Sequence, residues 1–166
     1  MARKDVGLVK GDWVVHTYYG VGQIKKIENK ILDNQKTKYF KVISSTSTYF
    51  VPVDKVDGDR VRPVSSMYKI RKAVKALKGK PQELELDHTA RKRQIGELIE
   101  DSSINTSAEV IRDLTKHRLD HHLNDYEQKV LEKLTDQMAL EWSIAQKIKV
   151  EDALQKLEDA LEVSMN

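Results

Sequence analysis

Two periods of hydrophobic spacing divide the chain near residue 64. Before that point, short runs of β-branched and aromatic residues alternate with turn residues, which is typical of β-strands. The runs are "DWVVH", "QIKKIEN", "KYFKVIS" and "STYFVPVD". Four or five short strands in about 60 residues predict a small antiparallel barrel or curled sheet. Gly20 and Gly22 mark a sharp bend, and Pro52 inside a strand pattern indicates an edge position or a bulge.

From about Ser65 the apolar residues recur every three or four positions, which indicates helices. "SSMYKIRKAVKALKG" predicts a first helix, and "DHTARKRQIGELIED" a second with Asp87 or Thr89 as N-cap. A third is expected to open at Thr106 or Ser107, and two more fill the remainder. The fold class is therefore α+β in two domains. Residues 1–64 form the sheet domain, and residues 65–166 form an all-α bundle of about five helices.

Charge is distributed unevenly along the 166 residues, although the net charge is only +3. Residues 1–68 carry +5, residues 69–93 carry +6 and residues 94–166 carry −8. A basic middle segment attracts phosphates and steers association, although a solvated charged face is the other interpretation. The chain has no cysteine, no apolar run of membrane length and no apolar signal core near its start. We therefore expect a cytoplasmic protein without a membrane segment.

Catalytic signatures are not evident in the sequence. It contains no G-x-S-x-G elbow, P-loop or H-E-x-x-H motif. His117 and His121 have the spacing of two metal ligands on one helix, but a third ligand is not evident. We expect no enzyme activity, no metal and no cofactor.

The segment "KGDWVVHTYYGVGQIKKIE" resembles the start of the CarD/CdnL family of bacterial transcription regulators. "KYFKVI", "YFVPVDKV" and "RVRPV" continue the resemblance in order, and "AEVIRDL" is the most recognisable segment of the helical half. The resemblance covers nearly the whole chain. Its β half is shared with the transcription-repair coupling factor.

The resemblance implies a Tudor-like N-terminal domain that docks on the β subunit of bacterial RNA polymerase. It implies a helical domain that contacts promoter DNA at the upstream edge of the −10 region and stabilises the open complex. Family members typically do this with a tryptophan in the minor groove. No ATP or metal is implied, and the protein would be associated with the nucleoid. The resemblance leaves open a monomer or a dimer formed by strand exchange.

The resemblance places His88 where the wedge tryptophan falls in well-known members. An imidazole stacks and forms hydrogen bonds, but it covers less area than an indole, so backbone contacts from Arg91, Lys92 and Arg93 are the alternative. The two tryptophans of the chain lie in predicted core positions. Lys129 and Lys133 are further DNA-contact candidates. Their other interpretation is an ordinary exposed pair matched to nearby glutamates.

For polymerase docking the candidates are Lys30, Tyr49 and Phe50. Lys30 and Phe50 lie where some members carry arginine. Strand alternation turns one of Tyr49 and Phe50 into the core and the other outward, and the sequence does not say which. Lys30 could also be a plain turn lysine.

Two other functions remain open at the level of sequence. The protein could be a polymerase-binding adaptor whose helical domain recruits another protein, with little DNA contact. The acidic C-terminal part and the missing tryptophan favour this. A small hydrolase would need a pocket of convergent titratable groups, which the sequence does not assemble.

Overall fold

The computed structural model describes residues 7–56 and 60–166. The chain divides into two compact units, the first ending at Val64 and the second beginning at Ser65. The first is a five-stranded antiparallel sheet, and the second contains five helices. This confirms the predicted α+β fold class.

The sheet contains β1 (Trp13–His16), β2 (Gly20–Leu32), β3 (Gln35–Ser44), β4 (Thr48–Pro52) and β5 (Val61–Pro63). A short 3₁₀ helix, Val53–Lys55, follows β4. The strand order is β4-β3-β2-β1-β5, so the described strands form a curled sheet in which β4 and β5 are the edges. Pro52 therefore lies on an edge strand, where its missing N–H interrupts no central ladder.

Two local features curl this sheet. The register of β2 against β3 shifts between Ile24 and Lys26, and such a bulge bends a strand and increases its twist. Gly20 opens β2 with φ of +73°, a conformation that favours glycine. Side chains on the concave face form the core of the sheet: Val14, Ile24, Phe40, Val42, Tyr49, Val51, Val56 and Val61.

The helices are α1 (Met67–Leu77), α2 (His88–Ile99), α3 (Ile104–Asp120), α4 (Asp125–Gln146) and α5 (Val150–Met165). Their shared core includes the completely buried side chains of Ile70, Leu77, Ile95, Ile111, Leu114 and Leu157. Trp142 is also buried in it, as predicted. In the described part of the chain, no helix is both long enough and apolar enough to cross a bilayer.

Four of the five described helices begin after a residue whose side chain caps the helix. Asp87 caps α2 by accepting a hydrogen bond from the Ala90 amide at 2.9 Å. The start predicted for α3 at Thr106 or Ser107 is wrong. Ser103 is the N-cap, and its hydroxyl accepts from the Thr106 amide at 3.2 Å. The helix gains one turn because serine supplies the same oxygen earlier in the chain.

Candidate functional site

The convex face of the sheet carries a lysine–aromatic cluster that contains two of the predicted docking residues. Phe50 on β4 is paired with Lys41 on β3, and Tyr39 on β3 is paired with Glu28 on β2. Lys30 Nζ lies 3.4 Å from the Phe50 ring centroid and 5.7 Å from that of Tyr39. Phe50 remains 39% exposed. An ammonium over the exposed Phe50 ring forms a cation–π contact that holds the lysine stem across this face.

Tyr49 points the opposite way, which resolves the alternation that the sequence leaves open. It is only 7% exposed, and burial raises the pKa of its hydroxyl to about 12. Its hydroxyl has no hydrogen-bond partner among the described residues. It packs 3.3 Å from the position that a Cβ on Gly22 would occupy. Tyr49 is therefore a core residue, and the prediction that it contacts polymerase directly is withdrawn.

The electrostatic character of this convex face is cationic. Lys26 Nζ pairs with a Glu28 carboxylate oxygen at 2.6 Å. The hydrogen bond from Lys26 is the main cause that lowers the pKa of Glu28, and the charges of Lys26, Lys41 and Lys30 add to it. One carboxylate thus lies among three ammonium groups, so a partner would meet positive charge around the aromatic rings.

The glycine-containing turn between β1 and β2 presents two tyrosines. His16 Nδ1 accepts hydrogen bonds from the amides of Tyr18 and Tyr19 at 3.0 and 3.2 Å, which closes the turn. The Tyr19 ring stacks on Tyr49 with centroids 4.9 Å apart. Tyr18 is 66% exposed, with the Arg60 guanidinium 5.7 Å from its ring. Buried Tyr49 therefore supports an exposed aromatic turn from beneath.

In the helical unit, Arg91 is the centre of a buried polar network. It is 2% exposed, and its Nε donates to the carboxylate of Glu127, which is 1% exposed. Its Nη1 donates to the backbone carbonyls of Glu85 and Leu86 at 3.0 and 2.9 Å. The sequence predicts Arg91 as a phosphate contact. The structure instead buries the guanidinium, and its N–H groups already donate to these acceptors of the protein. Arg91 is therefore not available to contact a DNA phosphate.

The network also fixes His88. Arg91 Nη2 lies 2.9 Å from His88 Nδ1. A guanidinium has no acceptor, so Arg91 is the donor and Nδ1 carries no proton. The proton of the neutral ring is then on Nε2, on the side away from Arg91. His88 is the first residue of α2 and is exposed, so this N–H is presented outward.

Glu127 also caps α4. Asn124 is the N-cap, its side chain accepts from the Glu127 amide at 2.9 Å, and its own amide donates to Glu127 Oε2 at 3.1 Å. This reciprocal pair is a capping box. Arg91 therefore joins the start of α2 to the start of α4 through one carboxylate.

The remaining predicted DNA residues are exposed around this junction. Lys92 follows Arg91, and its Nζ lies 5.2 Å from the Tyr126 ring centroid on α4. Lys129 and Lys133 lie three and seven residues after Tyr126, so they share its face of α4. Arg93 is exposed on α2. The structure thus brings Lys92 and α4 together, whereas Arg91 serves as the internal connection.

His117 lies behind the network and is buried. Burial is the main cause that lowers the pKa of this imidazole. The charges of Arg91 and His121 act in the same direction, and Glu127 and Asp120 oppose them. The His117 and His121 rings stack with centroids 4.6 Å apart. Within residues 7–56 and 60–166, no three potential metal ligands are grouped.

A cleft of about 880 Å³ lies between α3 and the segment that precedes α2. Its lining residues include no serine, threonine, cysteine or tyrosine. Asp113 in its wall accepts from Arg112 and from the Gln82 amide, so it is already paired. The cleft therefore contains titratable side chains, His117 among them, but no hydroxyl or thiol nucleophile.

The sequence alone identifies only some of the residues that form these surfaces. The pattern "NDYE" contains the Asn124 to Glu127 spacing of a capping box, a readable signal. Tyr39 and Tyr126 gave no such signal, because an aromatic residue in a strand or helix is more often part of a core. Only the cross-strand register and the helix junction place them beside lysines.

The fold and these surfaces describe a sheet unit and a helical unit, each with a cationic and aromatic patch. The chain belongs to the CarD family: residues 8–73 match the CarD-like/TRCF RID domain, and residues 72–158 match the CarD C-terminal domain. It is also similar to a protein of Bacillus subtilis strain 168 named "Putative transcription factor YdeB". The two are 27% identical over 124 residues, which cover 74% of this chain and 81% of that protein. Membership gives the chain a transcription-related role that involves RNA polymerase.

Proposed function

We propose that the protein docks on the β subunit of bacterial RNA polymerase and stabilises the open promoter complex. The helical unit would contact promoter DNA near the upstream edge of the −10 region. It would act without catalysis or cofactor, in the cytoplasm with the nucleoid. The observation that carries this proposal is His88, held in one tautomer by Arg91 and next to exposed Lys92.

The convex face of the sheet is the proposed docking surface. Phe50 offers exposed aromatic area, and Lys30 holds positive charge over its ring. An aromatic anchor ringed by charge is typical of residues that dominate binding energy in interfaces. This surface would fit a partner surface with an apolar pocket and acidic margins.

At the DNA, His88 would act as a hydrogen-bond donor more than as a wedge. The minor groove presents acceptors on every base pair, adenine N3 and thymine O2 among them. An outward Nε2–H suits such an acceptor. Because Arg91 already occupies Nδ1, the ring loses little orientational freedom when it binds.

The lysines would add contacts that do not depend on sequence. Contacts with phosphates would release counterions from the DNA, which makes the binding sensitive to salt. The residues for these contacts are Lys92, Arg93, Lys129 and Lys133. Docking on polymerase raises the effective concentration of this surface at the promoter, so its own affinity for DNA can be weak.

The adaptor remains a second candidate. Exposed carboxylates on α5, including Glu151, Asp152, Glu158 and Asp159, form an acidic surface that suits a basic protein better than DNA. In that case the helical unit would recruit another protein while the sheet unit binds polymerase.

The test is the lifetime of open complexes formed by bacterial RNA polymerase, measured after a heparin challenge. We expect the protein to lengthen the lifetime, His88→Ala to shorten it again and His88→Gln to retain part of the effect. Gln places an N–H donor near the Nε2 position, whereas Ala has none. His88→Trp tests whether a larger ring acts more strongly. An unchanged lifetime, with polymerase binding intact, would overturn the open-complex function and favour the adaptor.

A further inference from the structure

Helix α1 carries a cationic stripe that the proposed site does not use. Arg71, Lys72, Lys75 and Lys78 are all exposed, and residues 67–80 contain no acidic residue. At 100° per residue these four side chains fall on one continuous face, opposite the completely buried Ile70 and Leu77.

No carboxylate in the described part of the chain pairs with these four cations. The pairs Arg71 with Lys75 and Lys72 with Lys75 are four and three residues apart, so like charges lie next to each other and repel. Elsewhere in the helical unit, Lys116 has an acidic partner, Asp120, at 3.7 Å. An external anion would relieve the repulsion on α1.

We propose that this face of α1 is a second binding surface, and that its ligand is the phosphate backbone of duplex DNA. Arg71 and Lys78 are seven residues apart, about 10 Å along the helix. One strand of DNA places about three phosphates along that axial length. Tyr68 ends the stripe, 67% exposed and with Lys72 Nζ 5.3 Å from its ring, and its hydroxyl offers a further phosphate contact.

Other partners fit less well. A helix that inserts into a lipid surface needs a free apolar face, but Ile70, Ala73 and Leu77 are buried in the core. A protein interface needs apolar anchors at its centre, and this stripe has one aromatic residue at its end. A single-stranded nucleic acid needs several stacking platforms. A uniform line of positive charge matches a regular double-stranded polyanion.

The test uses the full chain and a fluorescein-labelled blunt duplex of about two helical turns, followed by fluorescence anisotropy at several salt concentrations. The variant is Arg71→Gln, Lys72→Gln and Lys75→Gln. The matched control is Lys147→Gln, Lys149→Gln and Lys156→Gln, which removes the same charge from exposed positions outside both surfaces. Urea unfolding of each protein checks folding, and the single variant Lys72→Gln serves if the triple variant is unstable.

We expect the α1 variant to bind the duplex about tenfold more weakly and to lower the slope of log affinity against log salt by about 2 to 3. The control should change both quantities little. Equal losses in the two proteins, or no loss in either, would overturn the proposal. So would tighter, α1-dependent binding of a single-stranded RNA of equal length. A change of oligomeric state in the α1 variant without a change in DNA affinity would instead assign the face to self-association.

The inference does not depend on the proposed open-complex function, because this assay contains no polymerase and no fork. His88→Ala should change the open-complex lifetime, and the α1 variant should change duplex affinity. A negative outcome in one assay therefore contradicts one proposal without contradicting the other.

Discussion

Replacing Arg91 by Met tests the internal network most directly. The change removes the only described cation in contact with Glu127, a carboxylate that is 1% exposed. Breaking a buried ion pair by removing one partner typically costs about 3 to 5 kcal/mol, because the other charge stays buried and uncompensated. Asn124 still donates two hydrogen bonds to Glu127, which places the expected loss at the lower end, about 3 kcal/mol.

The two backbone carbonyls that Arg91 also contacts add little to this loss. They belong to Glu85 and Leu86, which are exposed residues, so water can replace the guanidinium there. Against a total stability of about 5 to 15 kcal/mol, a loss of about 3 is large enough to measure without ambiguity.

The assay is urea unfolding followed by circular dichroism and by the fluorescence of buried Trp142. Arg93→Met is the matched control. Arg93 is exposed two positions along the same helix, so its replacement should change the free energy of unfolding by less than about 0.5 kcal/mol. Adding Glu127→Gln to Arg91→Met should recover part of the loss, since Gln keeps an oxygen for the Asn124 amide without the charge. A cost below about 1 kcal/mol for Arg91→Met would refute the buried network.

Two further predictions concern the docking face and pH. Phe50→Ala should weaken binding to immobilised RNA polymerase about tenfold, as loss of an aromatic anchor does, while Ile31→Ala, on the opposite face of β2, should not. Equal effects of the two changes would contradict the docking assignment. His117 has a folded-state pKa below its ordinary value of 6.5, so the unfolded chain binds its proton more readily. The stability that neutral His117 contributes is therefore complete above about pH 6.5 and decreases as pH falls through the folded pKa. Urea unfolding from pH 7.5 to 5 should show wild type losing more stability than His117→Gln, and a difference independent of pH would contradict this.

Sequence periodicity was sufficient for the architecture because each element has one strong apolar face. Ile70 and Leu77, spaced seven apart, are both completely buried, as their spacing requires. The β-branched strands likewise place Val14, Val42 and Val51 in the core of the sheet. A period of 2 or 3.6 residues directly encodes which side meets the core.

The site was predictable only as a set of residue types, not as individual roles. The triplet Arg91, Lys92 and Arg93 reads as one basic cluster, yet helical rotation of 100° per residue sends its first member inward and leaves the others exposed. The fact that position 91 faces inward does not by itself explain why an arginine is tolerated there. That depends on Glu127, 36 residues away, and on carbonyls of the preceding segment. Such long-range pairing has no local signature.

Tyr49 and Phe50 show the same limit in a strand. Alternation makes the two side chains face opposite sides, but the phase is set by the register against β3, where Tyr49 is paired with Val42. Val42 is buried, so Tyr49 faces the core as well. A bulge elsewhere in the sheet could have reversed the phase, which is why composition alone could not assign it.

The two DNA surfaces would do different work in regulation. A ligand shifts an equilibrium only by the difference in its binding to the two states. Phosphates are present in closed and open promoter DNA alike, so contacts from α1 would bind both states and leave their ratio nearly unchanged. A hydrogen bond from His88 Nε2 to an acceptor reached only in the open complex is worth about 1 kcal/mol, which shifts the ratio about fivefold. The size of the regulatory effect would then depend on one imidazole and on the arginine that orients it, while the lysines set how long the protein remains on DNA.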